Sequence, residues 1–256
     1  MALIQTDIAD RVATIAFDNY RKRNALSTAL IAEFLVSLQR LQAEGARALV
    51  IRAAGDGTVW SAGHDVDELP NAGVDPLPYT GSLEQLLRAV KSFPAPVIAM
   101  VRGSVWGGAC ELVMACDLVI GDETCAFAIT PAKLGLPYNT AGILNFMCRL
   151  PLNVTKEMFF TAEPIAAERA ERVGIVNAVV PASELEARTY AMARTIASRS
   201  PQAIAAFKES VRVLSEAAAV SPSTYEYLQG LRRDVYFGPD YREGISAFRE
   251  RRPPRF

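Results

Sequence analysis

Two short segments carry the residue types from which a backbone oxyanion hole can be built: Ser61-Ala62-Gly63-His64-Asp65 and Gly103-Ser104-Val105-Trp106-Gly107-Gly108-Ala109-Cys110-Glu111. Each places glycine where a peptide N–H must come close to a ligand oxygen. The second runs into the apolar stretch Leu112-Val113-Met114-Ala115-Cys116, so it reads as a glycine turn opening a buried helix whose first-turn N–H groups point outward. Two such donors aimed at one thioester carbonyl would stabilise an enolate in a dry pocket, and one oxyanion donor is worth roughly 3–4 kcal/mol of barrier. Glycine pairs at helix starts are common, so neither segment decides the matter alone.

Other residues could act around them. His64 is the only histidine and, taken by itself, a general base. Glu111 sits among Ala109, Cys110, Leu112 and Val113, where a carboxylate needs a partner or a raised pKa; the alternative is a structural glutamate bonded to backbone N–H groups. Tyr138, in the loop Gly135-Leu136-Pro137-Tyr138-Asn139, is by residue type more often packing than chemistry. Basic residues gather at Arg21-Lys22-Arg23 and in the tail Phe248-Arg249-Glu250-Arg251-Arg252-Pro253-Pro254-Arg255-Phe256, which is otherwise a solvated basic end.

These residues must be positioned by regular elements. Val12–Phe17 has the alternation of a strand broken by Asp18-Asn19. Ser27 can cap a helix from Thr28 to Glu44, with Leu30, Ile31, Phe34, Leu35, Leu38 and Leu41 at helical spacing, and 48–52 reads as a buried strand. A second unit follows: helix from about 83 to 92, strand 97–101, turn Arg102-Gly103, helix from about Gly107, strand 118–120. Alternating strands and helices predict a mainly parallel α/β core. Ser183-Glu184-Leu185-Glu186 has capping-box spacing and opens a nearly all-helical tail punctuated by Pro201, Pro222 and Gly238-Pro239. The loop 70–78 is either a surface connection or a mobile cover over an acyl pocket.

Composition bounds the answer. At 256 residues, half of them hydrophobic, the chain can bury a large core. Its 27 basic and 28 acidic residues leave a formal charge of −1 and no global field for a nucleic-acid backbone. Cys110, Cys116, Cys125 and Cys148 lack Cys-x-x-Cys spacing and read as reduced, packed residues, with no metal site expected. With no signal-peptide pattern and no long uncharged run, a soluble, cytoplasmic protein without membrane partners is the expectation.

Taken with Arg21-Lys22-Arg23-Asn24-Ala25-Leu26-Ser27, Thr130-Pro131 and Pro131-Ala132-Lys133-Leu134-Gly135-Leu136-Pro137, the two glycine segments resemble the crotonase (enoyl-CoA hydratase/isomerase) superfamily over nearly the whole chain, and within it the methylmalonyl-CoA decarboxylase branch. The resemblance implies an α/β spiral of β-β-α units over residues 1–198 and a C-terminal helical region, 199–256, that mediates trimerisation, often as a dimer of trimers. It assigns the oxyanion hole to the main-chain N–H groups of His64 and Gly108, leaving the imidazole a secondary role. It places Lys22, Arg23, Ala25, Ala62 and Asp65 at the CoA-binding side, with Phe248 and Arg251 completing the CoA site of a neighbouring subunit.

Glu111 matches one of two glutamates that hydratases use to activate water. The second would stand at Pro131, which has no titratable group, so the two-carboxylate hydration mechanism is not available in its usual form. Losing that base suits a reaction that makes an enolate without removing a proton, as decarboxylation of a malonyl-type thioester does. Tyr138 would then hydrogen-bond the substrate carboxylate, with Thr130 helping. No cofactor is expected, since coenzyme A arrives as the substrate thioester. The competing expectations are an enoyl-CoA hydratase or isomerase and, more remotely, a non-catalytic CoA- or RNA-binding relative.

Overall fold

The computed structural model describes residues 2–55, 57–70, 73–215 and 221–256. Ile4–Ala9 (β1) and Val12–Phe17 (β2) pair antiparallel around Asp10 and Arg11, both at positive φ, the backbone of a tight hairpin turn. Ser27 Oγ accepts from Leu30 N and caps Thr28–Ala43 (α1), whose Leu30, Ile31, Phe34, Leu38 and Leu41 are buried.

The chain then winds in repeated turns. Ala48–Ala53 (β3), Val59–Ser61 (β4) and Ser82–Ser92 (α2) are followed by Val97–Val101 (β5), Ser104–Trp106 (β6) and Gly108–Ala115 (α3), then by Leu118–Asp122 (β7) and Ala126–Ala128 (β8). Each turn gives its longer strand to one sheet and its short strand to a second. The large sheet has the order β1-β2-β3-β5-β7-β10, where β10 is Ala178–Val180, and is parallel beyond its first pair. The small sheet has the order β4-β6-β8-β9, parallel except where Ile165–Ala166 (β9) closes it. This is the expected spiral of β-β-α units.

The large sheet is covered on both faces, which is why β5 is buried end to end and reads as an unbroken apolar run. Phe17, Trp60, Phe127 and the buried faces of α1, α2 and α3 fill one side. On the other, Leu185–Ala197 (α7) lays Leu185, Ala193 and Ala197 over Val50, Ile98, Met100 and Ile120. Trp60 stands edge-on to Phe17 and donates its Nε1–H to the Met100 carbonyl at 2.9 Å, tying the start of one coil to the next.

Thr140–Met147 (α4), Leu152–Thr161 (α5), Ala167–Val173 (α6) and Ala178–Val180 (β10) complete the core. Pro201–Ser215 (α8), Pro222–Phe237 (α9) and Pro239–Arg249 (α10) form the helical tail, each opening on proline, whose fixed φ and missing N–H suit the first helical position. The tail is not detached: Tyr241 and Ile245 belong to the main core. No helix among the described residues is long and apolar enough to cross a membrane.

Two local expectations fail. The capping box at Ser183 and Glu186 does not form, because Glu184 occupies the cap position of α7 without a side-chain cap bond and Glu186 reaches toward Arg52 at 3.5 Å. Three cysteines are packed, but Cys148 is exposed, since it terminates α4 on the surface.

Candidate active site

The oxyanion segments meet through strand register. β4 and β6 are parallel neighbours with Ser61 opposite Val105, and His64 and Gly108 each lie three residues further on. Gly63 makes the approach possible. At φ 85° it holds a conformation that L side chains rarely adopt, and a Cβ there would stand 2.4 Å from the Trp106 carbonyl oxygen and 3.1 Å from Gly108 N. The Gly108 Cβ position is likewise 3.5 Å from His64 N. Two backbone nitrogens from successive coils thus lie close to one another. Among the described residues neither N–H has a backbone acceptor, and that of Gly108 is the first of α3.

Residues that the sequence reading passed over hold this geometry. Ser61 Oγ donates to the Asn24 carbonyl at 2.7 Å and accepts from Gly63 N at 3.2 Å, while Asn24 Nδ2 donates to the Trp60 carbonyl at 3.0 Å. Leu26 N donates to the Gly63 carbonyl at 2.7 Å, and Ala62 N to that of Arg23 at 2.9 Å. The 23–26 segment, including buried Ala25, is therefore laced to the donor loop along its length.

The His64 imidazole is desolvated, which lowers its pKa and keeps it neutral, and its Nδ1 is buried without a hydrogen-bond partner. Among the described residues no hydrogen bond to Nδ1 orients it as a base. Asp65 caps a short 3-10 turn through Asp67 N and binds the Lys22 ammonium at 3.0 Å, with Asp67 at 3.4 Å. Lys22 and Arg23 face solvent beside this pair, so a phosphate reaching Lys22 would compete with two carboxylates.

Near these two nitrogens lies a buried polar network. Glu111 is fully buried on α3; its Oε2 lies 2.7 Å from the Tyr138 hydroxyl and its Oε1 accepts from Asn145 Nδ2 at 2.9 Å. Lys91 in turn donates to Asn145 Oδ1. Burial raises the Glu111 pKa to about 7 despite these donors, and burial lifts that of Tyr138 well above its ordinary value. The Tyr138 ring is wedged edge-on between Phe146 and Phe159, with centroids 6.4 and 5.1 Å away. Gly142 leaves the room: a Cβ there would stand 2.4 Å from the ring and 2.8 Å from Glu111 Oε1. Asn139 caps α4 through Gly142 N and donates to buried Glu84 at 2.6 Å.

Thr130 occupies the third-coil counterpart of the donors, because Phe127 pairs with Val105 and Thr130 follows three residues later. Its Oγ1 would be 3.4 Å from a Cβ on Gly107. Pro131 is buried and opens a 3-10 turn ending at Gly135. No carboxylate comes from that position.

A cavity of about 260 Å³ opens in front, lined by His64, Leu83, Val74, Leu77, Glu84 and Asn139 among others. Its outer wall is the proline-rich segment named from the sequence; Asn71 and Ala72 of that segment lie outside the described residues. Phe248 and Arg251 lie exposed at the end of α10, outside this lining, whereas Arg252 is engaged by Glu243 and Glu250.

Two backbone N–H groups without backbone acceptors among the described residues, beside a cleft and near a buried phenol and carboxyl, are a donor set able to stabilise charge on an enolate oxygen. The chain belongs to the enoyl-CoA hydratase/isomerase family, whose description matches residues 7–256. It is 46% identical over 247 residues to the methylmalonyl-CoA decarboxylase of Escherichia coli (strain K12), covering 96% of this chain and 95% of that protein. It is 32% identical over 255 residues to the human mitochondrial enoyl-CoA hydratase domain-containing protein 3, covering 96% and 80% of the two chains. A solved structure of methylmalonyl-CoA decarboxylase in complex with 2-nitronate-propionyl-CoA superposes with a TM-score of 0.97 at 45% identity, over 99% of this chain and 98% of that one.

Proposed function

We propose that this protein decarboxylates methylmalonyl-CoA to propionyl-CoA and CO₂. The observation that carries the reading is the paired His64 and Gly108 backbone donors beside a buried Tyr138–Glu111 couple, with proline where a second catalytic carboxylate would stand. The bond from C2 to the carboxylate breaks; its electron pair becomes the C1–C2 π bond of the enolate and the thioester oxygen takes the charge. The two N–H groups stabilise that oxygen more strongly than the neutral carbonyl of the ground state, which is the condition for catalysis. A proton then adds at C2, closing the balance. The thioester is itself the electron sink, so the reaction requires no metal, biotin or thiamine.

Tyr138 positions the departing carboxylate so that its C–C bond stands perpendicular to the thioester plane, with Thr130 alongside. A phenol does this without the strong ion pair that Lys or Arg would form, which would stabilise the ground state. For the phenol to offer its hydrogen outward, Glu111 must be the donor in the bond between them, and its raised pKa supplies the protonated form near neutrality.

CoA lies along Lys22, Arg23, Ala25, Ala62 and Asp65. The 199–256 region packs subunits into a trimer or dimer of trimers in the cytoplasm, where Phe248 and Arg251 reach the CoA of a neighbour. Glu111 also supports a second reading, hydration of short-chain enoyl-CoA by a single carboxyl. Incubation with methylmalonyl-CoA, malonyl-CoA and crotonyl-CoA, with products identified by mass, separates the two. Propionyl-CoA and CO₂ formed after exhaustive chelation, with negligible hydration of crotonyl-CoA, is the expected result; rapid hydration without CO₂ would replace it with the second reading.

A further inference from the structure

Arg232 on α9 is the only cation among the buried residues described. Burying a guanidinium is costly unless it is paired and its donors are met. Here all are met. Nε donates to the Tyr138 carbonyl at 3.1 Å; Nη1 donates to Asp75 Oδ2 at 3.1 Å and Gln229 Oε1 at 2.9 Å; Nη2 donates to Asp75 Oδ1 at 2.7 Å and the Leu77 carbonyl at 3.3 Å. A guanidinium has five N–H donors in a rigid fork, so none is left over.

Apart from Gln229, which shares α9 with Arg232, the acceptors belong to two different walls of one cavity. Asp75 and Leu77 lie in its outer wall, and Tyr138 directly precedes Asn139 of the inner wall. The outer wall has further ties to the same helices: the Tyr241 hydroxyl donates to the Pro70 carbonyl at 2.7 Å, and Gly73 N lies 3.4 Å from the Tyr236 carbonyl. A hydrophobic pocket discriminates against one extra methylene only as far as its walls refuse to move.

We propose that Arg232 is a positioning residue that fixes the separation of these two walls and so confines the site to a short acyl group. This rests on the cavity being the acyl site of the proposed reaction. Arg232 touches no reacting atom; it acts through Asp75, Leu77 and the backbone of Tyr138. A lysine in its place carries the charge but presents a point donor that cannot span both walls.

The test compares wild type with Arg232→Lys and Asp75→Asn in two measurements: kcat/KM for methylmalonyl-CoA against ethylmalonyl-CoA, and calorimetric affinity for propionyl-CoA against hexanoyl-CoA. In Arg232→Lys the preference for the methyl over the ethyl substrate should fall about tenfold, the discrimination commonly obtained for one methylene. Hexanoyl-CoA should gain affinity relative to propionyl-CoA. Asp75→Asn, which keeps the Tyr138 and Leu77 bonds, should move both ratios in the same direction by less. Unchanged ratios in folded variants, whatever happens to the absolute rate, would make Arg232 a purely structural residue. If Arg232→Lys does not fold, Asp75→Asn decides. If wild type releases no CO₂, the reaction assignment fails, and the affinities for the saturated acyl-CoAs still judge the wall-spacing role.

Discussion

The Tyr138 hydroxyl and Glu111 Oε2 stand 2.7 Å apart in a fully desolvated setting, so the proton between them has one owner at a time. With Glu111 ionised, the phenol donates inward; with Glu111 protonated, the phenol is free to donate to substrate. With the Glu111 pKa near 7, kcat/KM should be level at lower pH and fall as pH rises through about 7, by up to about tenfold per unit. In Glu111→Gln the amide donates permanently to the phenol oxygen and accepts from Asn145, so the profile should lose this inflection while activity at pH 6 is kept within a few-fold. A pH–rate series on both proteins checks this; an inactive but folded Glu111→Gln would instead make the carboxyl a direct proton donor.

The same group sets a pH dependence of stability. An unfolded carboxyl titrates near 4.5 and the folded one near 7, so between those values the native state holds more protons. Stability therefore falls as pH rises through that window, by about 3 kcal/mol in full. Urea unfolding of wild type and Glu111→Gln at several pH values should show this decline as a difference between the two; parallel curves would refute it.

Tyr138→Phe keeps the ring between Phe146 and Phe159 and removes only the hydroxyl. We expect kcat/KM for methylmalonyl-CoA to fall by roughly 10–100-fold, the scale of one or two hydrogen bonds. Affinity for propionyl-CoA, which has no carboxylate to hold, should barely change. An unaltered decarboxylation rate would return Tyr138 to a packing role.

The oxyanion assignment makes opposite predictions for adjacent residues. His64→Ala removes an imidazole whose buried Nδ1 has no hydrogen-bond partner among the described residues and keeps the N–H, so kcat should drop no more than a few-fold. Gly63→Ala sets a Cβ against the Trp106 carbonyl in a left-handed backbone and must move a donor, which should cost on the order of 10²–10³ in kcat. Loss of turnover in His64→Ala with a native melt and circular dichroism would transfer the role to the side chain.

Gly142→Ala introduces a methyl into the gap between Tyr138 and Glu111. Overpacking of this kind typically costs about 1–3 kcal/mol, so the melting temperature should fall by several degrees together with the decarboxylation rate. Normal stability and normal rate in Gly142→Ala would mean the tyrosine can withdraw without consequence.

The long elements were legible because their signals are strong and local. Leu30 to Leu41 repeat at helical spacing, Val97–Val101 is uniformly apolar, and Pro201, Pro222 and Pro239 mark helix starts. The small sheet was not, since β4, β6, β8 and β9 are only two or three residues long and take their identity from neighbours in other coils. The donor glycines stood out for their conformation. Ser61, Asn24, Asn139, Asn145 and Arg232, which support them or the phenol, are ordinary residues whose partners lie up to 157 positions away in sequence, and no spacing rule joins Arg232 to Asp75. A proline-rich loop ahead of a helical tail was the only available hint.

The equal offsets of His64 and Gly108 past a paired Ser61 and Val105 have an evolutionary reading. The pairing of Ser61 with Val105 brings the two segments side by side, at the spacing of about 4.8 Å common to neighbouring β-strands, just before each reaches its nitrogen. Given glycine at 63 and the Ser61 and Asn24 bonds that hold the loop, this placement does not depend on the side chains at 111, 131 and 138. Under the proposed mechanism, substitution can therefore exchange the residues at 111, 131 and 138 without moving the two N–H groups. One scaffold can in this way move between reactions that share only the charge left on an oxygen.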